Sequence, residues 1–232
     1  YSVADDSQFI VKIDPNEPYP MNYYLGVLGD TGLSAYFGML DIGQPKKDET
    51  VLVSAAAGAV GSIAGQLAQI QGARAVGIVG SDEKAERIVS ELGYAGAINH
   101  RGDINAQLAE LCPDGVDVYF DNVGGPILEL VLEHIAVGAR IALCGAVATY
   151  GNPTGGPGNL FQLVTKEALM QGFFAHTQTA RYPAARAQLA EWVDAGELNA
   201  PEYMLDGIEN VGTAFSDLFA GRNFGKTIVR LT

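Results

Sequence analysis

Three glycines at helical spacing, Gly58, Gly61 and Gly65, follow the short apolar run Val51, Leu52 and Val53 in the stretch TVLVSAAAGAVGSIAG. The run suits a strand buried on both faces, and the glycines suit the opening of a helix. Without Cβ atoms at Gly58 and Gly61, a pyrophosphate can approach the backbone from Ala57 through Gly58, Ala59 and Val60. The unpaired N–H groups of the first helical turn then point at it, with the positive end of the macrodipole behind them. Gly65 is expected to let helix and strand pack closely. The complete dinucleotide fingerprint is not met, because Ala56 stands where its first glycine belongs. A glycine-containing core helix after any parallel strand is the competing reading.

A fold selective for NAD carries a carboxylate about 20 residues after such a turn, at the end of the second strand, to bind the ribose 2′-OH. This chain has Val79, Gly80 and Ser81 there. A carboxylate would repel a 2′-phosphate, so its absence, with Lys84 one helical turn inside, fits NADPH. Lys84 also reads as a solvated helix lysine, and Ser81 is an N-cap under either reading. At the end of the fourth strand the backbone of Val123, Gly124 and Gly125 can pass close to a cofactor. Asn122 is a candidate donor there, or a turn-forming residue. Tyr150 is the phenol at the end of the fifth strand, beside the Gly- and Pro-rich run YGNPTGGPGN. A phenol can donate a hydrogen bond to an oxyanion or pass a proton, and a packing aromatic at a loop edge is the other reading.

These residues need elements to carry them. The periodicity predicts strands over residues 51–53, 75–79, 95–99, 116–120, 140–144 and 171–175, alternating with helices over 82–92, 103–111, 127–135, 162–170 and 181–195. Two helices meeting at a turn are expected over 22–40, and a strand, helix and final strand over 201–205, 211–219 and 227–231. Short strand-like runs are expected around residues 9–13. The alternation argues an α/β fold, a doubly wound parallel sheet, with ligands at its strand ends.

Composition fits a globular chain: of 232 residues 48% are apolar and 18% charged. No apolar run approaches the length needed to span a bilayer. A net charge of −13 repels phosphate backbones and anionic lipid, so nucleic acid and membrane are not expected partners. Cys112 and Cys144 form no C-x-x-C pair, so reduced, cytoplasmic use is expected. Residues 1–13 show neither an initiator Met nor a signal peptide, and missing N-terminal sequence is expected.

The order YFGML, TVLVSAAAGAVGS, GSDEK, DNVGG, CGA then Tyr150, and GKTIVRL resembles the zinc-independent medium-chain dehydrogenases/reductases. Within them it is most similar to the branch of prostaglandin reductases, leukotriene hydroxydehydrogenases and NADPH-dependent alkenal reductases. The resemblance runs over nearly the whole chain. It implies that residues 1–24 are the tail of a mainly β (GroES-like) catalytic domain, that 25–198 form a Rossmann dinucleotide domain, and that 199–232 return to the catalytic domain. It implies hydride transfer from NADPH to the β-carbon of an α,β-unsaturated aldehyde or ketone, a quinone substrate being the alternative. A further alternative is a truncated NADPH-binding module without activity of its own.

By the same resemblance Lys84 lies on the 2′-phosphate, Tyr150 lies close to nicotinamide and substrate, and Cys144 and Gly145 line the cofactor. Asn223 contacts it too, unless it serves a turn. Where the family has a tyrosine after the third strand, this chain has His100 and Arg101, which can also serve a phosphate or stand on the surface. A homodimer is implied through the last sheet strand near residues 169–174, with internal cover by the helix from residue 181 as the other reading. Two decoys fail on spacing. Residues 221–227 imitate a phosphate-binding loop one residue short, with Lys226 opening a strand. His100, His134 and His176 have no zinc-ligand spacing, so no metal is expected.

Overall fold

The structure is a computed structural model and describes residues 12–14, 16–150 and 156–231. Six strands form one parallel sheet: β1 (Thr50–Ser54), β2 (Arg74–Val79), β3 (Gly96–Asn99), β4 (Val116–Asp121), β5 (Ile135–Leu143) and β6 (Leu169–Gly172). Their order is β3-β2-β1-β4-β5-β6. The chain therefore winds from β1 to one edge, returns beside β1 as β4, and winds to the other edge. The carboxyl ends of β1 and β4 flank the switch point, where such sheets bind ligands.

Side chains of successive β1 residues enter opposite layers. Val51 and Val53 join one apolar cluster with Leu67, Ile88 and Phe120, while Leu52 joins a second with Val76, Tyr119 and Ile141. All three are fully buried, which is why the strand reads as a continuous apolar run. Helices α1 (Met21–Leu25), α2 (Asp30–Phe37), α3 (Ala59–Ile70) and α4 (Asp82–Leu92) precede α5 (Ile104–Leu111), α6 (Gly125–Leu132) and α7 (Phe161–Thr165). A π-helical segment, Gly38–Gly43, extends α2, and α8 (Tyr182–Asp194) packs Leu189 into the first cluster. Beyond it β7 (Glu202–Asp206) and β8 (Lys226–Arg230) pair in parallel, connected by α9 (Val211–Phe219).

Three expectations need correction. The helix expected over residues 127–135 is α6, which ends at Leu132, and Ile135 already pairs with Val116 as the start of β5. The helix expected over 162–170 is only Phe161–Thr165, and the last strand is Leu169–Gly172 rather than 171–175. Phe173 leaves the strand direction to place its ring 6.3 Å from that of Phe120. The role given to Gly65 also changes. A Cβ there would lie 2.0 Å from Tyr94 Oη, and that hydroxyl donates to the Gly61 carbonyl at 2.7 Å. Gly65 makes room for the tyrosine that follows α4, not for the strand. The strand-like run around residues 9–13 lies mostly outside the described residues, and Lys12 to Asp14 form no strand.

Candidate cofactor site

The glycine turn leaves β1 through Ala55, a non-glycine residue at φ 49°, and enters α3 at its N-cap Gly58. No side chain caps this helix, so its first-turn N–H groups face outward for an acceptor. A Cβ on Gly58 would meet only Ala55, with the carbonyl oxygen at 3.1 Å. A Cβ on Gly61 would lie 2.3 Å from the same oxygen, so this glycine is required by the turn itself. Ala57, Ala59 and Val60 complete the turn around Gly58. That uncapped backbone, open at Gly58, fits a pyrophosphate.

The ends of β2 and β3 stand beside it. A Cβ on Gly80 would lie 3.3 Å from His100 Nε2, so the imidazole covers the glycine that replaces the expected carboxylate. Ser81 caps α4 by accepting from the Lys84 N–H at 3.3 Å. Lys84 is partly buried, and burial first, with Arg87 adding repulsion, pushes its amine below the ordinary lysine range against the opposing pull of Glu83. An anion beside it would reverse that shift. Arg101 is exposed, and its backbone N–H donates to Asn99 Oδ1 at 3.1 Å. Asp82, the first carboxylate after Gly80, accepts from Asn99 Nδ2 at 2.7 Å and is thereby held on β3.

Between β1 and β4 lies a polar network that the sequence reading passed over. Asp121 is fully buried and accepts from Ser54 Oγ at 3.0 Å, Tyr119 Oη at 2.8 Å and the N–H groups of Val123 and Gly124 at 3.0 Å each. Ser54 Oγ in turn accepts from the Asn122 N–H at 2.9 Å. Burial, with Asp121 adjoining, drives the Tyr119 phenol well above its ordinary range, so it stays a donor. The satisfied network fixes the Val123 and Gly124 turn. The signal was present as two small polar residues closing apolar strands, Ser54 after Val53 and Asp121 after Phe120, which the sheet pairs side by side.

Asn122 directs one amide N–H to the Ser54 carbonyl at 2.7 Å, a turn-fixing role. Its carbonyl lies 3.0 Å from where a Gly145 Cβ would be, and Tyr150 Oη lies 3.4 Å from the same point. The structure thus gathers Asn122, Gly145 and Tyr150 at the ends of β4 and β5. Cys144 bonds its N–H to the Asp121 carbonyl at 2.8 Å, and burial, with Asp30 and Asp121 nearby, pushes its thiol up to about 12. The Tyr150 ring is 71% exposed and its hydroxyl reaches the Ala146 N–H at 3.5 Å. Asn223 is buried and donates to the Gly225 carbonyl at 3.0 Å. Gly225 in turn forms a β-bridge with Gly58, which brings the end of the chain against the phosphate turn.

Among the described residues no group of three or more His, Cys, Asp and Glu gathers as for a metal. His134 meets Asn105 Oδ1 at 2.9 Å and His176 meets Asp30 at 3.4 Å. The Gly221 to Thr227 stretch opens β8 with Lys226, as expected of a decoy.

The family model for the zinc-binding dehydrogenase domain matches residues 59–191. The chain is 49% identical over 219 residues to YfmJ of Bacillus subtilis (strain 168), provisionally named an NADP-dependent oxidoreductase, covering 92% of this chain and 65% of that protein. It is 40% identical to the NADP(+)-dependent 2-alkenal reductase of Nicotiana tabacum, covering 100% of this chain and 68% of the relative. The crystal structure of CurA from Vibrio vulnificus in complex with NADPH superposes with a TM-score of 0.87 at 39% identity, covering 94% of this chain and 67% of that one. The chain spans about two thirds of the length of these relatives.

Proposed function

We propose that this chain, which belongs to the zinc-binding dehydrogenase family and to its reductase branch, binds NADPH and serves an enzyme that reduces the C=C bond of α,β-unsaturated aldehydes or ketones. The observation that carries the reading is the pairing of an uncapped glycine turn at Gly58 with a β2 end that offers Gly80, His100 and Lys84 in place of a carboxylate. NADPH, when bound, supplies the hydride. The chain's residues do the rest. The α3 N-terminus receives the pyrophosphate, and Lys84, with Arg101 near the end of β3, receives the 2′-phosphate. The Asp121 network holds Val123 and Gly124 beside the nicotinamide end. The Tyr150 hydroxyl donates to the enolate oxygen, or passes it a proton, once negative charge has developed.

Residues 1–24 and 199–232 would belong to a second, mainly β domain of the whole protein. The apolar face of α9 and its surroundings supports this, since Ile208, Phe215 and Phe219 are 72%, 64% and 73% exposed. We place the enzyme in the cytoplasm, with both thiols free. No helix among the described residues is long and apolar enough to cross a membrane.

The test is NADPH oxidation followed with a conjugated enone, a saturated ketone and a quinone. Turnover of the enone alone supports the reading, and turnover of the quinone alone replaces it with a quinone reductase. Because the chain spans about two thirds of its relatives, NADPH binding without any turnover would favour a cofactor-binding module.

A further inference from the structure

The segment made of Asn223, Phe224 and Gly225 touches both phosphate-binding elements. At one end the Gly225 N–H donates to the Ala57 carbonyl at 2.8 Å, alongside the Gly58 bridge. Gly225 sits at φ 76°, and a Cβ there would lie 1.9 Å from the Pro201 carbonyl oxygen, so the contact demands glycine. Asn223 Nδ2 then bonds the Gly225 carbonyl at 3.0 Å and stiffens the segment. At the other end the Arg87 guanidinium lies 3.7 Å above the Phe224 ring centroid, with Phe224 itself buried. Glu91 holds the same guanidinium through two contacts, of 2.6 and 3.0 Å, which limits its movement over the ring. Arg87 is one turn beyond Lys84 on the same helix face.

We propose that Phe224 is a positioning residue for cofactor selectivity: by stacking under Arg87 it sets α4, and with it Lys84, at a fixed distance from the Gly58 turn. This rests on the reading of Lys84 as the 2′-phosphate ligand. The 2′-phosphate and the pyrophosphate of one nucleotide are carried by the same ribose, which limits their separation, so a protein that binds both gains from holding their two sites at a matching distance. The core face of α4 is seated on the sheet by Ile88 and Leu92, buried in the first cluster, and its ends are held to β3 through Asp82 and to α3 through Gln69. The Arg87 stack ties α4 to the segment that braces the turn itself.

The experiment measures dissociation constants of NADPH and NADH, by nucleotide fluorescence on the whole chain, for the parent, Phe224→Ala, Phe224→Tyr and Arg87→Lys. Arg87→Lys keeps the charge and loses the planar guanidinium, and it decides the matter if Phe224→Ala does not fold. The expected result is a parent that prefers NADPH, with Phe224→Ala and Arg87→Lys each losing roughly 3- to 10-fold of that preference, the range of a cation–π contact. NADH affinity should change by less than about twofold, and Phe224→Tyr should restore the parent ratio. A parent without preference overturns the NADPH reading itself. A preferring parent whose ratio survives in Arg87→Lys, or whose variants lose both nucleotides equally, overturns the role of Phe224 alone.

Discussion

Under the proposed function Lys84 serves affinity and Tyr150 serves turnover, and the two roles separate by substitution. Lys84→Ala is expected to weaken NADPH about tenfold or more, since a charge-assisted contact to phosphate contributes about 1.5–3 kcal/mol, and to leave NADH nearly unchanged. Titration with both nucleotides checks it, and equal losses would remove Lys84 from the 2′-phosphate. Tyr150→Phe in the full-length enzyme keeps ring and shape but removes the donor. Because the hydroxyl is exposed, water can take over part of its task, so the expected loss in kcat lies near the small end of about 10²–10³. Unchanged turnover with a raised NADPH dissociation constant would make Tyr150 a cofactor contact instead. At this scale the sequence was informative wherever the backbone alone decides: the glycine turn and Gly80 were readable from spacing. Ser54 and Asp121 each stood out as a polar residue closing an apolar strand, but that they bond one another follows only from the pairing of strands far apart in the chain.

At the scale of elements, Tyr94 is the pin between α3 and the α4–β3 connection. Gly65→Ala would drive a methyl into the Tyr94 ring and break its bond to the Gly61 carbonyl. Overpacking and a lost buried hydrogen bond together predict a destabilisation of about 2–4 kcal/mol, read as a fall in Tm. Cofactor-free protein is the right sample, since bound nucleotide would mask part of the loss. Element types were legible because β1, β2 and β4 are buried on both faces and α4 is amphipathic. Boundaries blurred where helical apolar spacing continued across a change of structure, as from Leu128 through Leu132 to Ile135, whose four- and three-residue steps persist although Glu133 and His134 separate helix from strand. The exact limits of α9 were readable from its period, though its exposed face shows that period alone does not say which side is covered.

For the whole molecule, β6 is one of the two edges of the sheet, opposite β3. Leu169 is 52% exposed on it, and Phe161, Val164 and Phe174 nearby are 71%, 66% and 65% exposed. The helix from Tyr182 packs on the first core cluster and leaves these residues uncovered, so pairing of two β6 edges about a two-fold axis is the expected assembly. Sedimentation at micromolar concentration should give a dimer, and Leu169→Lys should shift it toward monomer. A monomeric parent would sink the idea. The bridge between Gly58 and Gly225 also has a consequence in time. During synthesis the six-stranded sheet is completed when Gly172 emerges, but the strut behind the phosphate turn arrives with Gly225. At about 5–20 residues per second that interval lasts roughly 3–10 seconds, during which a nascent sheet has every strand and an unbraced nucleotide turn. The sheet is therefore complete before the turn that holds the nucleotide is braced.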